Sequence, residues 1–433
     1  MLTTKSSISL TECVVEIDNP KVFKWADIFY LVQKQIPDIK NKSIIKINIV
    51  NSTKSKLYFY VCLLEGCKVV IEEPFMPSKL ISSPRSEDIV CLIIPTGLGS
   101  SIGGYAGDSN PLAKLMSYGS KYFLTHPNVV NGAVLTDVPN NLIYLEGFLL
   151  DQFLVGKVNL IQGRKNKIGV IFDCGIDDER LQYEINVLNA TKAIYGCEIL
   201  GWVKTEKPLR IMPDLSKFGF STGEINNLEC LIDKALLLKK SGATAIAICA
   251  AIPDLPLNAE YISGRGIDPI GGVESMISHA VSSVTGLVSA HAPILLLEEK
   301  VNYNEVSPVS ASEYVAKTFL PSVINGLRYA PKIVTSRDSH NNDLLSFNNI
   351  SKLIVPSSAF GSAGVLFLNE ISDKVVLVKE NKTCLQTNSE DININFNFVE
   401  KYKEIIDKKA FDKLGIVPEA LERPLSSVAE LSN

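Results

Sequence analysis

The sequence predicts an α/β protein built on a doubly wound, mostly parallel sheet and preceded by a small α+β unit. Three observations carry that expectation. From Asp88 onward short apolar runs alternate with helical patterns. The runs are nearly continuous in apolar residues, as suits strands covered on both faces. At 433 residues the chain exceeds one ordinary core, so two or three domains are expected.

Residues 1–85 are assigned to a small accessory domain. In it "CVVEID" is a strand, "VFKWADIFYLVQKQI" an amphipathic helix, and "IIKINIVN" with "KLYFYVCLL" a hairpin-like pair around "STKS". The segment "PFMPSKLISSPRSED", with three prolines and four serines, suits a linker and puts the boundary near Arg85. A main domain over 88–380 follows. Its expected strands are "IVCLIIP", "KYFLTHP", "KIGVIFDCG", "TAIAICAAIP", "GLVSAHAP", "KIVTS", "KLIVPSS" and "VLFLNE". Its expected helices are "DERLQYEINVLNATKAIYG", "EINNLECLIDKALLLKKSG", "GGVESMISHAVSSV" and "ASEYVAKTFLPSVINGL". Residues 381–433 form a closing segment, with "FVEKYKEIIDKKAFDKLGIV" as one or two helices and "SVAELSN" frayed. One internal echo, "LIIPTGLGSSIGG" at 92–104 and "LIVPSSAFGSAGV" at 353–365, raises the alternative of two similar halves.

Composition narrows the functional classes. The 43 basic and 47 acidic residues are scattered and the net charge is −4, so there is no electrostatic footprint for nucleic acid. Nine cysteines, an odd number with no CxxC pair, indicate free thiols in a reducing compartment. The N-terminus lacks the pattern of a secretory signal, and no apolar run approaches the roughly 20 residues of a membrane span. The expected location is the cytoplasm, or the plastid stroma in a plastid-bearing organism.

In an open parallel sheet ligands bind beyond the carboxyl ends of the strands, so the residues after each apolar run are the candidates. Two of the four histidines, His126 in "THPNVV" and His291 in "SAHAP", fall there with a proline close by. Histidine suits such a place as an acid or base near neutrality, or as a metal ligand, and it can equally tie down a loop. His279 lies five residues after Glu274 on a helix, hence on another face, and is assigned a packing role. His340 sits in a polar loop.

Two glycine-rich loops are candidate anion cradles. The first holds Gly97, Gly99, Gly103, Gly104 and Gly107 with Ser100 and Ser101, so that several amides can face a ligand with no Cβ between. The second, "GRGIDPIGG", offers Arg265 as a clamp, Gly266, Gly271 and Gly272 as open backbone, and Asp268 as the cap of a helix whose N-terminus favours anions. Ser357, Ser358 and Gly361 follow a further strand. The GxGxxxG spacing of the first loop, with no acidic residue at the end of the next strand, is a weak dinucleotide signal.

Taken together, "IIPTGLGSSIGGYAGD", "THPNVVNGA", "GRGIDPIGGVESMISH", "SAHAP" and "KTFLP" resemble an uncharacterised family, a domain of unknown function found in cyanobacteria, other bacteria and plastid-bearing lineages. The resemblance covers 88 to about 370. It implies no assigned reaction. It does imply that the glycine loop, His126, Asn128, Asn131, Asp268, Glu274, His279 and His291 belong to signature segments. The resulting expectation is an enzyme, an isomerase, lyase or transferase, acting on a small anionic metabolite. The two glycine loops would hold the anion. His126 and His291 would serve as acid and base, or as ligands of one divalent metal, with Asp108 or Glu274 as carboxylate partner. A nicotinamide-dependent oxidoreductase and a non-catalytic metabolite sensor or assembly protein are the alternatives; a homo-oligomer is left open.

Overall fold

The computed structural model describes residues 7–78, 86, 88–163, 165–253, 259–296, 302–335 and 343–431. The N-terminal unit forms as the sequence predicts. Strands Ser9–Asp18, Lys56–Glu65 and Lys42–Ser52 make an antiparallel sheet with Lys56–Glu65 in the centre. Helix Trp25–Gln35 buries Trp25, Ile28, Phe29 and Val32, the i, i+3, i+4, i+7 stripe of an amphipathic helix. This unit shares one apolar core with the rest of the described chain. It docks through backbone: the Ile49 amide donates to the Gly361 carbonyl at 2.9 Å. The expected boundary at Arg85 lies outside the described residues.

Parallel pairing dominates the remainder, divided between two sheets where the sequence suggests one. Six strands run in the order Asn397–Val399, Val375–Val378, Ile350–Pro356, Ile89–Leu92, Tyr122–Thr125, Leu142–Tyr144, every neighbouring pair parallel. Four run in the order Val288–Leu296, Ala245–Pro253, Lys167–Phe172, Glu198–Lys204, again all parallel. In the larger sheet the winding reverses between Ile89–Leu92 and Ile350–Pro356. Loops leaving two such strands diverge and open a crevice. The two echoing segments are these neighbours, with Cys91 opposite Leu353 and Leu92 opposite Ile354. The echo therefore joins the two central strands of one sheet, one on each side of the reversal.

Several expected elements change type. "VLFLNE" is the core of helix Ala363–Ile371, capped by the Ser362 side chain on the Val365 amide. Its four-residue apolar run, Val365 to Leu368, has no period that separates strand from buried helix, and the capping serine decides. "ASEYVAKTFLPSVINGL" splits into Ala311–Val315 and Leu320–Leu327, because Ala316 is extended and Pro321 opens a new first turn. "KIVTS" gives strand Lys332–Thr335, antiparallel to Val158–Ile161 in a separate small sheet. The C-terminal segment contains strand Asn397–Val399 and helix Lys408–Leu414, not two helices alone. No helix among the described residues is long and apolar enough to cross a membrane.

Candidate functional site

A cavity of about 260 Å³ lies where the N-terminal sheet, the loops of the six-stranded sheet and helix Gly271–Thr285 meet. Its walls carry an unusual density of ionisable groups: Glu146, Asp151, Asp268, Glu274 and Glu313 against His126, His279, His291 and Lys46. Lys46 is the one lysine or arginine among the described lining residues. Because burial is costly for an isolated charge, such groups persist where they are paired or kept neutral.

Two carboxylate–histidine pairs face the cavity. His291 Nδ1 lies 3.0 Å from Glu274 Oε1. Its Nε2 is buried with no partner. Burial pushes the His291 imidazolium down to about 3 and raises the Glu274 carboxyl to about 8, so at neutrality the pair shares one proton beyond the ring's own N–H and carries no net charge. With that proton on the Glu274 carboxyl and the ring N–H at Nδ1 donating to Oε1, Nε2 keeps its lone pair. In the second pair His279 Nδ1 abuts Glu146 Oε1. Glu146 caps helix Gly147–Leu154, accepting from the Phe148 amide at 2.9 Å and the Leu149 amide at 3.3 Å. Gly147 makes this contact possible, since a Cβ there would stand 2.8 Å from His279 Cε1.

His126 follows strand Tyr122–Thr125, and its Nε2 accepts the Ile94 amide at 3.1 Å. A neutral imidazole has one lone pair, so the proton sits on Nδ1. Burial lowers its pKa to about 4. His126 is therefore a neutral hydrogen-bond donor. It can polarise a ligand oxygen but cannot accept a proton or bind a cation at Nδ1 without losing Ile94. Opposite, Glu313 Oε1 accepts from the Tyr261 hydroxyl at 2.7 Å and the Ala106 amide at 2.8 Å. Desolvation, reinforced by mutual repulsion, holds Asp268 and Glu313 above the usual carboxylate range.

The signature segments all fall within one family match. A model of a protein family of unknown function, DUF3326, matches residues 89–422, and that stretch contains every wall of the cavity except the N-terminal strand. The chain belongs to the DUF3326 family. The match runs past the expected limit near residue 370 and takes in the C-terminal segment. An uncharacterised lipoprotein of Synechococcus sp. is 34% identical over 334 residues, 76% of this chain and 92% of that protein. No solved structure matches.

Within the DUF3326 region the structure gathers His126, Asn128, Asn131, Glu274, His291, Asp268 and Gly104 around the cavity, and adds His279 to them. His279 is not the mere packing residue its helical offset suggests, because Glu146 and Gly147 of another helix come to meet it. Its partners lie far away in sequence, which is why spacing missed them. His291 sits within strand Val288–Leu296, not after it; this is the edge strand of its sheet, where Pro293 is tolerated.

The expected anion cradles are already filled by the protein. Gly97, Gly99, Gly103 and Gly107 have positive φ, so the first loop needs glycine for its path. Five of its amides are taken: Gly103 and Tyr105 donate to Asp108, Ile102 to Asn381 Oδ1, Ser101 to the Lys382 carbonyl and Ala106 to Glu313. Asp108, assigned to catalysis from the sequence, instead ties this loop to Arg423 at 3.0 Å and does not line the cavity. Burial raises its carboxyl to about 6 against the opposing pull of Arg423. The Ser101 hydroxyl faces the Lys382 carbonyl at 3.4 Å, and Ser100 Oγ is buried without a partner, both away from the cavity.

The second loop is engaged in the same way. Asp268 accepts the Ile270 amide at 3.0 Å, and the Gly272 amide donates to Ser221 Oγ at 2.9 Å. Gly271 and Gly272 are demanded by close packing, since a Cβ on Gly272 would stand 2.1 Å from the Ser221 carbonyl oxygen. Arg265 is exposed and turns to Ser263, so it clamps nothing in the cavity. The Gly266 carbonyl accepts from the Tyr105 hydroxyl. Ser358 bonds Thr383, the Ser357 amide bonds the Val378 carbonyl, and Gly361 lines a separate cavity of about 50 Å³. Asn128 braces the first loop, donating to the Ile94 and Gly103 carbonyls at 2.8 Å, and Asn131 accepts from Tyr144.

The metal shared by His126 and His291 does not fit the local chemistry. His126 has no lone pair left for a metal shared with His291, and no group of three His, Cys, Asp or Glu among the described residues is arranged to hold a metal ion. His340 lies outside the described residues. Nothing in the local pattern singles out Lys46, Glu146, Asp151 or Glu313, each of which is an ordinary charged residue in its own segment.

Proposed function

We propose that this protein is an enzyme that moves protons on a small polar metabolite. The observation that carries the reading is His291: its Nδ1 is fixed by Glu274, its Nε2 is buried without a partner, and the residue lines the cavity. An unpaired buried acceptor costs about 1–3 kcal/mol, a cost that binding of a ligand hydrogen removes. Glu274 orients the ring and stores the proton, as carboxylates do for catalytic imidazoles. His126 supplies a neutral donor where negative charge develops on a ligand oxygen. The crowd of carboxyl groups favours a hydroxyl-rich molecule over a multiply charged anion. The engaged loop amides remove the support for a nicotinamide pyrophosphate. The free state of all nine cysteines supports a reducing compartment.

The test is a thermal-shift screen of small hydroxylated aldehydes, ketones and acids, followed by proton NMR in deuterated buffer. A compound that stabilises both the native protein and His291→Gln, yet exchanges or converts only with the native protein, supports the reading. Equal conversion by both refutes the role of His291, and binding to both with conversion by neither makes the protein a sensor.

A further inference from the structure

We propose that Lys46 is a carbonyl-binding lysine, whose ε-amino group condenses with a small hydroxylated aldehyde or ketone in the cavity to form an imine. Lys46 belongs to strand Lys42–Ser52 of the N-terminal sheet, outside the family match. The strand's register shifts between Ile44 and Lys46. Such a bulge re-aims the side chains that follow it. Beyond it Ile45, Ile47 and Ile49 are fully buried in the apolar core, while Lys46 and Asn48 line the cavity from the other face.

The surroundings of the amine suit a nucleophile better than an ion-pair partner. Lys46 Nζ donates to Ser275 Oγ at 3.2 Å, and Ser275 passes its own hydroxyl proton to the Gly272 carbonyl at 2.7 Å. The ring of Tyr60 lies 5.5 Å away. No carboxylate among the described residues comes within ion-pair distance of Nζ; Glu12, Glu146 and Asp151 act on it only from farther off. Burial accordingly lowers its pKa, the direction that favours the free, nucleophilic amine. With one N–H held by Ser275, the lone pair is free to reach into the cavity.

The step balances without any co-reactant. The nitrogen lone pair attacks the carbonyl carbon, the C=O electrons move to oxygen, and the proton lost by nitrogen returns to that oxygen, giving a carbinolamine. A buried carboxylic acid then protonates the hydroxyl, the C–O bond breaks, water leaves and the nitrogen lone pair completes C=N. Glu274, adjacent to Ser275 and kept protonated by burial, is placed to be that acid. The protonated imine draws electrons from the neighbouring carbon, whose proton His291 Nε2 can take; this last point rests on the proposed function, the imine itself does not. Once the amine is committed, the remaining wall groups Glu146, Asp151 and Glu313 hydrogen-bond hydroxyls and oppose a carboxylate, which sets the substrate class.

Trapping tests this directly. The native protein is incubated with dihydroxyacetone or pyruvate and sodium cyanoborohydride, and each lysine peptide is quantified by mass spectrometry. Dihydroxyacetone is expected to label Lys46 at least ~tenfold faster than the median lysine, a ratio that corresponds to about 1.4 kcal/mol. Lys46→Met, which replaces a buried amine with a neutral chain, should fold and lose that adduct. Labelling of Lys46 no faster than surface lysines overturns the proposal, and faster labelling by pyruvate overturns the substrate class. Trapping on the native protein reads imine formation alone, since no proton need leave the neighbouring carbon for the adduct to form. Conversion of a screened compound without trapping therefore refutes the lysine step alone, and trapping without conversion refutes the acid–base reading.

Discussion

Replacing Glu274 by Gln should make the protein more stable as pH rises, and the effect can be worked from the site. The Glu274 carboxyl is raised by burial to about 8, against about 4.5 for the free group. Its folded-state pKa therefore lies above its unfolded one, and between those values the folded state binds the extra proton. Stability then falls with increasing pH, by up to about 1.4 kcal/mol per unit, until the folded group ionises. From about pH 5 to about pH 8 the ceiling is about 4 kcal/mol. The side chain is 22% exposed and keeps its contact with His291, so about half of that is expected. Glu274→Gln removes the titration and leaves an amide oxygen to face His291 Nδ1. Urea unfolding of both proteins at about pH 5, 6.5 and 8 should show the variant gaining on the native protein by about 2 kcal/mol across the range. A difference that stays constant with pH within about 0.5 kcal/mol would mean that Glu274 ionises in the folded protein as it does in the unfolded chain. That result would refute the shared-proton account of the dyad. A stable variant without turnover would fit a site that gives up stability for function.

His126 should be the Nδ1–H tautomer and stay neutral to about pH 5, because its Nε2 accepts Ile94 and burial lowers its pKa to about 4; long-range nitrogen–proton NMR reads both, and an Nε2–H signal would reverse the donor assignment. Gly147→Ala puts a Cβ 2.8 Å from His279 Cε1. Helix propensity gains up to about 1 kcal/mol there, so stability should change little while the His279 ring resonances shift and ligand stabilisation falls; unchanged resonances would remove His279 from the site. Asp108→Ala should cost about 3 kcal/mol in urea unfolding by removing the acceptor of the Gly103 and Tyr105 amides and of Arg423, with no loss of ligand affinity in the folded protein, and an affinity loss beyond a few-fold would return Asp108 to the site. Gly103→Ala, strained at φ +86° and 2.7 Å from Ile94 Cγ2, should lose stability and binding together. Selective loss of an anionic ligand would instead restore the cradle.

What the sequence determined by itself is mostly local. The stripe of helix Trp25–Gln35, the hairpin around Thr53 and the unbroken apolar strands follow from side-chain period, and period depends only on near neighbours. His126 and Glu274 were legible because a loop or helix start after an apolar run is where an α/β fold opens its crevices; the same rule pointed to His291, although that residue sits within strand Val288–Leu296. The glycines were legible as special, but not in purpose: positive φ and a missing Cβ serve a corner as well as a cradle, and only the tertiary structure shows Asp108, Asn381 and Glu313 already holding the loop amides. It likewise decided the pairing of Glu146 with His279 and the arrival of Lys46 from the N-terminal sheet, contacts that span 133 residues in one case and 229 in the other. A lysine or glutamate on a half-buried face has the same local pattern whether it meets water or a cavity. What differs is the desolvation imposed by elements distant in the chain, and that exists only once they have packed together.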